Sequence, residues 1–431
     1  MQASNFWIVG GSHHRSFDLI FRYILSMWNP KRENGLKQLE RFVARSGREY
    51  AAQRNFDLGM NRHEHVSKLS PWVRHRIISE EEVVTAVLEK HTLSGAEKFV
   101  QEVFWRTYWK GWLETHPSVW KDYTVRTSKL AKEMEINTSL REQFVNVTTG
   151  KTGIACFDDW THELIESGYL HNHARMWFAS IWVFTLKLPW ELGADFFLRH
   201  LLDGDPASNT LSWRWVAGLH TKGKTYLARS DNISKFTKGR YTNITQLSKE
   251  ALPANFVAEA PSLLPLPVHE PFKSGVPTGL LLTDEDLNPT ELVRKIGPLA
   301  AVANFSSVEQ RSSFPISSNV SDFVCGAHKD AGLRLRQTRC LNDSLISECK
   351  SVKSICEWAL RNNLNQVVTP HISVGPTQDA LGGLSEELQS KGINFCQVIA
   401  RWDLMSWPHS SRGFFKLRKK IPTILSEVPL I

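Results

Sequence analysis

The sequence lacks the marks of a membrane-spanning or secreted protein. No uninterrupted apolar run approaches the roughly 18 residues that a membrane-spanning helix needs. The opening residues, MQASNFWIVGGSHHRS, have no charged segment ahead of a long apolar core, so we expect no secretory signal. A cytoplasmic location is the simplest expectation.

Cysteine is scarce and widely spaced. The six cysteines are Cys156, Cys325, Cys340, Cys349, Cys356 and Cys396. No two of them form a CxxC pair, and the tight spacings of zinc and iron–sulfur sites are absent. We therefore expect no metal site and interpret the cysteines as buried free thiols in a reducing compartment. A glycine-rich dinucleotide fingerprint is also missing.

The chain is instead rich in basic residues and tryptophan. Its net charge is +8 and its pI is about 9.1. This excess of Lys and Arg favours a polyanionic partner such as DNA or RNA, although many basic proteins bind nothing anionic. Sixteen tryptophans are an unusually large number, and a large aromatic core would explain only some of them. A length of 431 residues allows two or three domains.

Aromatic residues are concentrated between Gly168 and Trp215. This stretch begins with the polar run 171–175 (HNHAR) and ends near the polar run 203–206 (DGDP). Polar groups at both ends of a Trp-rich helical segment predict a buried, flat, polar ligand. A metal site at His171 and His173 is rejected, because side chains two residues apart do not face each other on a helix.

Three further patterns precede or follow this stretch. Glu102, Trp105, Arg106 and Trp109 share one face of a helix predicted over 95–113. A Glu–Arg pair at this spacing could be a surface salt bridge, but two tryptophans on the same face argue against a plain surface. Hydroxyls at 67 and 70 near a helix start can form a phosphate cradle, although Ser is also an ordinary N-cap. The basic loop 218–240 can neutralise phosphates or remain a solvated charged loop.

Together these residues resemble the FAD-binding domain of the DNA photolyase/cryptochrome family. The matching pieces are His171-Asn172, Arg175-Met176, Asp203-Gly204-Asp205, Asn209, Trp213-Arg214-Trp215, the pattern Glu102-x-x-Trp105-Arg106 and the loop Ser67–Pro71. The resemblance implies a mostly α-helical FAD-binding domain over 35–250, preceded by a helical extension over 1–34.

The resemblance also implies the cofactor contacts. Asn172 is expected beside flavin N5, Asp205 near N3, and Arg175 paired with Asp203 or Asp205. The Ser67–Ser70 loop is expected to hold the FAD pyrophosphate, which Arg106 also reaches. The full set of implied FAD-binding residues is Tyr50, Val66, Ser67, Lys68, Leu69, Ser70, Phe99, Arg106, Asn172, Arg175, Asp203, Gly204, Asp205 and Asn209.

Repair chemistry is assigned by the same resemblance. Glu102 is expected to hydrogen-bond a damaged base pair and Trp105 to stack on it. The complete catalytic set is Glu102, Trp105, Asn172, Met176 and Trp215, and the DNA contacts are Arg54, His171, Lys222 and Lys224. Trp213 and Trp190 match the proximal and middle members of an electron-transfer chain. The exit residue has no match, which leaves Trp182, Tyr169 or another aromatic residue as candidates.

The remainder of the chain has a different pattern. Six prolines mark 251–278 as a linker. Over 279–431, short strands near 279–287, 299–304, 366–370 and 395–400 alternate with predicted helices at 320–336, 349–363 and 378–391. This alternation predicts a Rossmann-like parallel βαβ sheet.

The second region resembles the α/β domain that the family places before its helical domain. Only about 35 residues precede the helical pattern here, so we expect a circular rearrangement. In relatives, such a domain can hold an antenna chromophore, for example a folate or a deazaflavin.

The resulting hypothesis is a monomeric, light-dependent DNA photolyase. It would split cyclobutane pyrimidine dimers in UV-damaged DNA by electron transfer from reduced FAD. The alternatives are repair of (6-4) photoproducts, a cryptochrome-like blue-light receptor, and a non-catalytic single-strand nucleic-acid binder that uses Trp stacking.

Overall fold

The structure, a computed structural model, describes residues 28–221, 224–251, 261–338 and 346–427. Residues 1–27 of the helical extension expected over 1–34 therefore lie outside the described residues, as do Lys222 and Cys340. None of the helices within these ranges is long and apolar enough to cross a bilayer. Of the described cysteines, Cys325 is exposed, contrary to the expectation that all are buried.

Helices make up the first part of the chain, as predicted. They are α1 (Arg32–Val43), α2 (Arg48–Gln53), α3 (Ser70–Arg74), α4 (Glu80–Lys90), α5 (Glu97–Thr115), α6 (Ser118–Ile136), α7 (Thr138–Thr148), α8 (Ala155–Ser167), α9 (Asn172–Ser180), α10 (Trp190–His200), α11 (Pro206–Val216) and α12 (Ser230–Phe236). Helix α9 continues into one wider π-helical turn, Ile181–Thr185.

Local sequence signals account for several of these boundaries. The sequence Ser79-Glu80-Glu81-Glu82 predicts a capping box at the start of α4. Ser79 accepts a hydrogen bond from the Glu82 amide while the Glu82 carboxylate accepts one from the Ser79 amide, so this prediction is confirmed. Helix α8 ends at Gly168, whose φ of 67° suits glycine. From the sequence we expect short helices and loops over 121–150, and this expectation is wrong for residues 121–136. There α6 runs for 19 residues because a continuous stripe of its side chains is buried.

A five-stranded parallel sheet follows, which confirms the predicted βαβ architecture. The strands are β1 (Thr278–Thr283), β2 (Ala301–Phe305), β3 (Ser347–Cys349), β4 (Gln366–Pro370) and β5 (Asn394–Val398), arranged in the order β3-β2-β1-β4-β5. The short edge strand β3 was not predicted. The accompanying helices are α13 (Thr290–Ile296), α14 (Ser318–Gln337), α15 (Val352–Arg361), α16 (Pro376–Ala380) and α17 (Leu384–Gln389).

The last helices return from the sheet to pack on α5. They are α18 (Arg401–Ser406), α19 (Phe415–Arg418) and α20 (Ile421–Glu427). The Trp402 ring lies 4.6 Å from that of Phe104, and its indole N–H donates to Thr107 Oγ1 at 2.8 Å. Trp407 lies against Gly111, where an added Cβ would be 2.5 Å from the ring. The helical region and the end of the chain therefore share one apolar core.

Buried charges also join the two regions. Arg74 in α3 donates to Glu285, just after β1, at 3.1 Å, and Lys110 Nζ in α5 lies 3.6 Å from the same carboxylate. The Glu114 carboxylate accepts a hydrogen bond from the Val374 amide at 2.9 Å. Because these groups are buried, each contact also satisfies a charge that would otherwise be costly to desolvate.

Candidate functional site

The first part of the candidate site joins α2 to α5. Tyr50 packs edge-on against Phe99 with ring centroids 5.2 Å apart, and Arg54 forms an ion pair with Glu102. The Glu102 side chain is 33 % exposed, so the pair lines an open surface. Burial raises the pKa of Glu102, and the Arg54 charge opposes this shift. Four residues predicted from the sequence are thus brought together.

Aromatic rings surround Trp105 on the next turn of α5. Its ring stacks on Phe414 at 3.8 Å with an interplanar angle of 14°, and it lies 5.3 Å from the Trp109 ring. Trp105 remains partly exposed despite this contact. One face of the Trp105 ring is therefore covered by Phe414, and the exposed part of the ring is available to a planar ligand.

The second part of the site lies between α9 and α11. Arg175 donates two hydrogen bonds to Asp203, at 3.0 and 2.8 Å, which selects Asp203 from the two acidic partners expected for it. On the same helix, Asn172 is exposed and Met176 is partly exposed. The arrangement offers an amide and a fixed ion pair to a polar ring.

Asp205 lies in a neighbouring buried charge network. Its Oδ1 accepts from the Ser208 amide at 2.7 Å and caps α11, while its Oδ2 is 3.4 Å from Arg106. Burial would raise the pKa of this carboxyl, but Arg106 and Arg74 outweigh burial and hold the pKa below its usual value. Asp205 is consequently a stable anion. The guanidinium of Arg106 also pairs with the buried Glu80.

The loop before α3 contains the residues that the resemblance assigns to the FAD pyrophosphate. Gln38 donates to the Ser67 carbonyl at 2.8 Å, and Lys68 has a left-handed φ of 54°. Val66, Ser67, Lys68 and Ser70 are partly exposed, whereas Leu69 is buried as an anchor. Two hydroxyls and a lysine therefore face outward from a fixed turn.

These residues fit an FAD molecule. Within the described ranges, the buried Arg106 Nε and Trp213 Nε1 have no hydrogen-bond partner. Buried donors are almost always satisfied in native proteins, so a polar ligand that reaches either atom would supply its missing acceptor. The residues available to hold FAD are the Ser67–Ser70 loop and Arg106 for its phosphates, and Asn172, Arg175 and Asp203 for its ring.

The predicted electron-transfer residues occupy adjacent helices. The tip of the Trp213 ring rests on Gly193 of α10, where an added Cβ would be 2.3 Å from Trp213 Cη2. Trp190 precedes Gly193 by three residues and so lies on the same side of α10. The Arg214 guanidinium sits 5.8 Å from the Trp190 ring centroid. Gly193 therefore makes room for the Trp213 ring, whose nearest ring contacts are Phe197 at 5.1 Å and Trp182 at 6.0 Å.

Of the predicted DNA contacts, His171 needs correction. Its side chain is fully buried, its Nδ1 accepts from the His173 amide at 3.2 Å, and its ring lies 5.8 Å from His63. Burial lowers the pKa of His171 to about 3, so the ring is neutral and cannot act as a phosphate contact. Lys224 is exposed, as a DNA contact requires.

Sequence reasoning missed several residues beside the site. Tyr226 stacks on Trp215 with centroids 5.9 Å apart, and its hydroxyl lies 3.4 Å from His173 Nε2. Phe414 and Glu285 come from distant parts of the chain. For Phe414, the only available signal was a short Phe-containing segment after the α/β region.

Comparison with known proteins defines the class of this site. Residues 99–254 match the family model described as the FAD binding domain of DNA photolyase. Residues 99–254, which include the Arg175–Asp203 pair, are accordingly similar to the FAD-binding domain of DNA photolyases. This match over part of the chain supports the resemblance to the DNA photolyase/cryptochrome family.

Curated relatives agree with this assignment over part of their length. The chain is 33% identical over 180 residues to a deoxyribodipyrimidine photo-lyase of Streptomyces griseus, covering 39% of this chain and 38% of the relative. It is 26% identical over 251 residues to the enzyme of that name from Escherichia coli, covering 57% of this chain and 50% of the relative. The chain thus spans about half or less of the length of these relatives.

Two solved structures align with about half of the chain. A class III photolyase from Agrobacterium tumefaciens aligns with a TM-score of 0.42 at 24% identity, covering 55% of this chain and 50% of that one. A Synechocystis cryptochrome aligns with a TM-score of 0.41 at 21% identity, covering 48% of this chain and 43% of that one.

Proposed function

We propose that this protein is a light-dependent DNA photolyase that splits cyclobutane pyrimidine dimers in UV-damaged DNA. The observation that carries the proposal is the open face of α5, on which Glu102 and Trp105 lie side by side, both partly exposed. A carboxyl group next to a flat ring can hydrogen-bond the edge of a flipped base and stack on its face. Relatives that match this chain carry the name deoxyribodipyrimidine photo-lyase.

The remaining site residues would place the cofactor against that face. Reduced FAD, when bound, supplies the electron that splits the dimer. Ser67, Ser70 and Arg106 would hold its phosphates. Asn172 and the Arg175–Asp203 pair would orient the ring, and Met176 and Trp215 would form the walls of the substrate pocket.

DNA binding would rest on charge around the pocket. The net charge of +8 and exposed Lys224 favour contact with phosphates, and Arg54 stands beside Glu102 at the rim. A damaged pair costs less to flip out of the duplex than an intact pair, which would give selectivity for lesions.

The α/β region would contribute an antenna chromophore. A cavity of about 620 Å³ lies beside the carboxyl ends of the strands, lined by Asp286 after β1, Pro370 of β4 and Val398 of β5. In open parallel sheets, ligands bind in this crevice. Energy-transfer fluorescence after loading with a folate or a deazaflavin would test the site, and absence of binding for both would reject it.

A repair assay tests the function. The FAD-loaded, reduced protein would be given an oligonucleotide with a thymine dimer under blue light, with a dark control. Thymines restored only in the light support the proposal. Repair of a (6-4) lesion alone would change the substrate, and FAD binding without repair of either lesion would favour a cryptochrome-like receptor. A protein that binds no FAD would favour the nucleic-acid binder.

Glu102→Ala isolates the lesion contact. Because a hydrogen bond to a charged group contributes about 1.5–3 kcal/mol, repair should fall at least about tenfold while FAD stays bound. Glu97→Ala on the same helix is the matched control, since Glu97 pairs with Arg418 on an exposed surface. Unchanged repair in Glu102→Ala, or equal loss in both variants, would reject the role of Glu102.

A further inference from the structure

We infer that Trp120, hydrogen-bonded to Asp379, is the terminal electron donor of the chain that reduces the flavin. The inference rests on the proposed function and on Trp213 and Trp190 as its inner members. It supplies the exit residue that the family pattern does not place in this sequence. The donor and its carboxylate come from distant parts of the chain, Trp120 from α6 and Asp379 from α16.

A continuous series of rings leads from Trp190 to Trp120. The Tyr123 ring lies 5.8 Å from that of Trp190, and the Trp120 ring lies 5.2 Å from that of Tyr123. Tyr123 and Trp120 are one turn apart on α6, so a single helix fixes both rings. Trp120 is 4 % exposed, and Asp379 beyond it is exposed to solvent. The series therefore ends at the protein surface.

The charges along this series favour movement of the electron toward the flavin. The Arg214 guanidinium over Trp190 disfavours a positive charge on that ring. At the outer end, the Trp120 indole N–H donates to Asp379 Oδ2 at 2.7 Å. A carboxylate at hydrogen-bond distance favours an oxidised indole both by its charge and by accepting its proton.

The step is balanced in electrons and protons. Photoexcited oxidised flavin of the proposed site is the oxidant, and Trp213 and Trp190 pass one electron inward to it. Trp120 loses one electron through Tyr123 to refill Trp190, its Nε1–H bond breaks, and the proton moves to Asp379 Oδ2. A neutral tryptophan radical remains until an external thiol reduces it.

Tyr123 acts as a bridge in this scheme. Burial and the nearby Asp195 carboxylate raise the pKa of Tyr123 well above its ordinary value. Tyrosine oxidation requires loss of the phenolic proton, so this environment disfavours a tyrosyl radical. The radical should therefore settle on Trp120.

The two candidates for the exit residue that the sequence suggested, Trp182 and Tyr169, are less suitable terminal electron donors than Trp120. Trp182 is fully buried, and its indole N–H donates to the Pro189 carbonyl, which cannot accept a proton. Tyr169 is buried against Trp28 and His63. A rival is Trp160, whose indole N–H donates to Asp57 Oδ2 at 2.9 Å, but Trp160 is fully buried and its ring contacts lead to Trp177 and Tyr241.

Time-resolved absorption of the FAD-loaded protein tests the inference. In wild type, a neutral tryptophan radical should follow the flash. Trp120→Phe should bind FAD equally but lose that signal, with photoreduction in the presence of thiol at least about tenfold less efficient. Asp379→Asn keeps a hydrogen-bond acceptor but cannot take the proton. In this variant the Trp120 radical should keep its proton and should therefore recombine faster with the electron on the flavin.

Trp160→Phe is the matched control, because it removes a similar Trp–Asp pair outside the proposed route. It should leave the radical unchanged. A neutral radical of wild-type lifetime in Trp120→Phe or in Asp379→Asn would overturn the inference, as would its loss in Trp160→Phe alone. Failure of FAD binding in wild type would instead reject the proposed function.

Discussion

Arg175 and Asp203 form a bidentate ion pair that joins the start of α9 to the segment before α11, with N–O distances of 3.0 and 2.8 Å. Both side chains are largely buried, at 23 % and 5 % exposure. The pair fixes the relative position of the two helices that carry Asn172 and Trp213. It therefore connects the stability of the fold with the shape of the proposed flavin site.

Asp203→Asn should weaken both properties. The variant leaves Arg175 without its anionic partner, so we expect a loss of about 2–4 kcal/mol in the free energy of unfolding, together with weaker FAD binding. Denaturant unfolding and flavin titration measure the two effects. Asp231→Asn is the control, because its pair with Arg229 is exposed. Equal effects in the two variants would contradict a structural role for the Arg175–Asp203 pair.

Local and family patterns were sufficient to predict much of this structure. The capping box at Ser79 and the strands near 279 and 366 follow from short-range spacing. The family resemblance limits the Arg175 partner to Asp203 or Asp205, and only the structure selects Asp203. The burial of His171 could not be predicted from local spacing or from the family pattern. A polar run resembles a surface segment unless the packing of His63 from another element is known.

Long-range contacts set the limits of prediction. Trp120 and Asp379 are separated by 259 residues, and no spacing rule relates them. The stack of Phe414 on Trp105 likewise depends on how the last helices return to α5. Only the assembled fold brings such groups together, because their contact is determined by the packing of the sheet against the helices.

Glu285 is the centre of the buried charge network between the sheet and the helices. Glu285→Gln would leave Arg74 and Lys110 without this carboxylate, at contacts now of 3.1 and 3.6 Å. We expect a loss of about 3 kcal/mol in the free energy of unfolding, because unpaired buried charges are costly. The control Glu291→Gln removes the exposed pair with Lys295 and should cost at most about 0.5 kcal/mol. Similar midpoints of denaturant unfolding for the two variants would be inconsistent with this network.

Gly193 provides the space that the Trp213 ring occupies. In Gly193→Ala, the new Cβ would be 2.3 Å from Trp213 Cη2, so the ring or the helix must shift. Overpacking of this kind costs about 1–3 kcal/mol, and flavin photoreduction should slow because Trp213 moves relative to Trp190. Gly382→Ala is the control, since its nearest neighbour would be at an ordinary 3.4 Å. Photoreduction at the wild-type rate in Gly193→Ala would show that electrons use another route.

Asp286 makes the stability depend on pH. Burial raises the pKa of Asp286 from 3.8 to about 6, while Arg76 opposes this shift. The native state therefore holds this proton more tightly than the unfolded chain. The stability that the protonated group contributes is fully present below pH 3.8 and is lost as the pH rises through about 6.

Asp286→Asn should remove this dependence, because an amide cannot ionise. The side-chain oxygen can still accept the hydrogen bond from the Asn288 amide, now 2.9 Å long. Relative to wild type, the variant should gain about 1–2 kcal/mol of unfolding free energy at pH 7.5 and much less at pH 4.5. Urea unfolding at the two pH values measures the difference. A gain that is the same at both values would mean that Asp286 does not titrate between them, and that its ionised form is already stabilised in the native protein by Arg76.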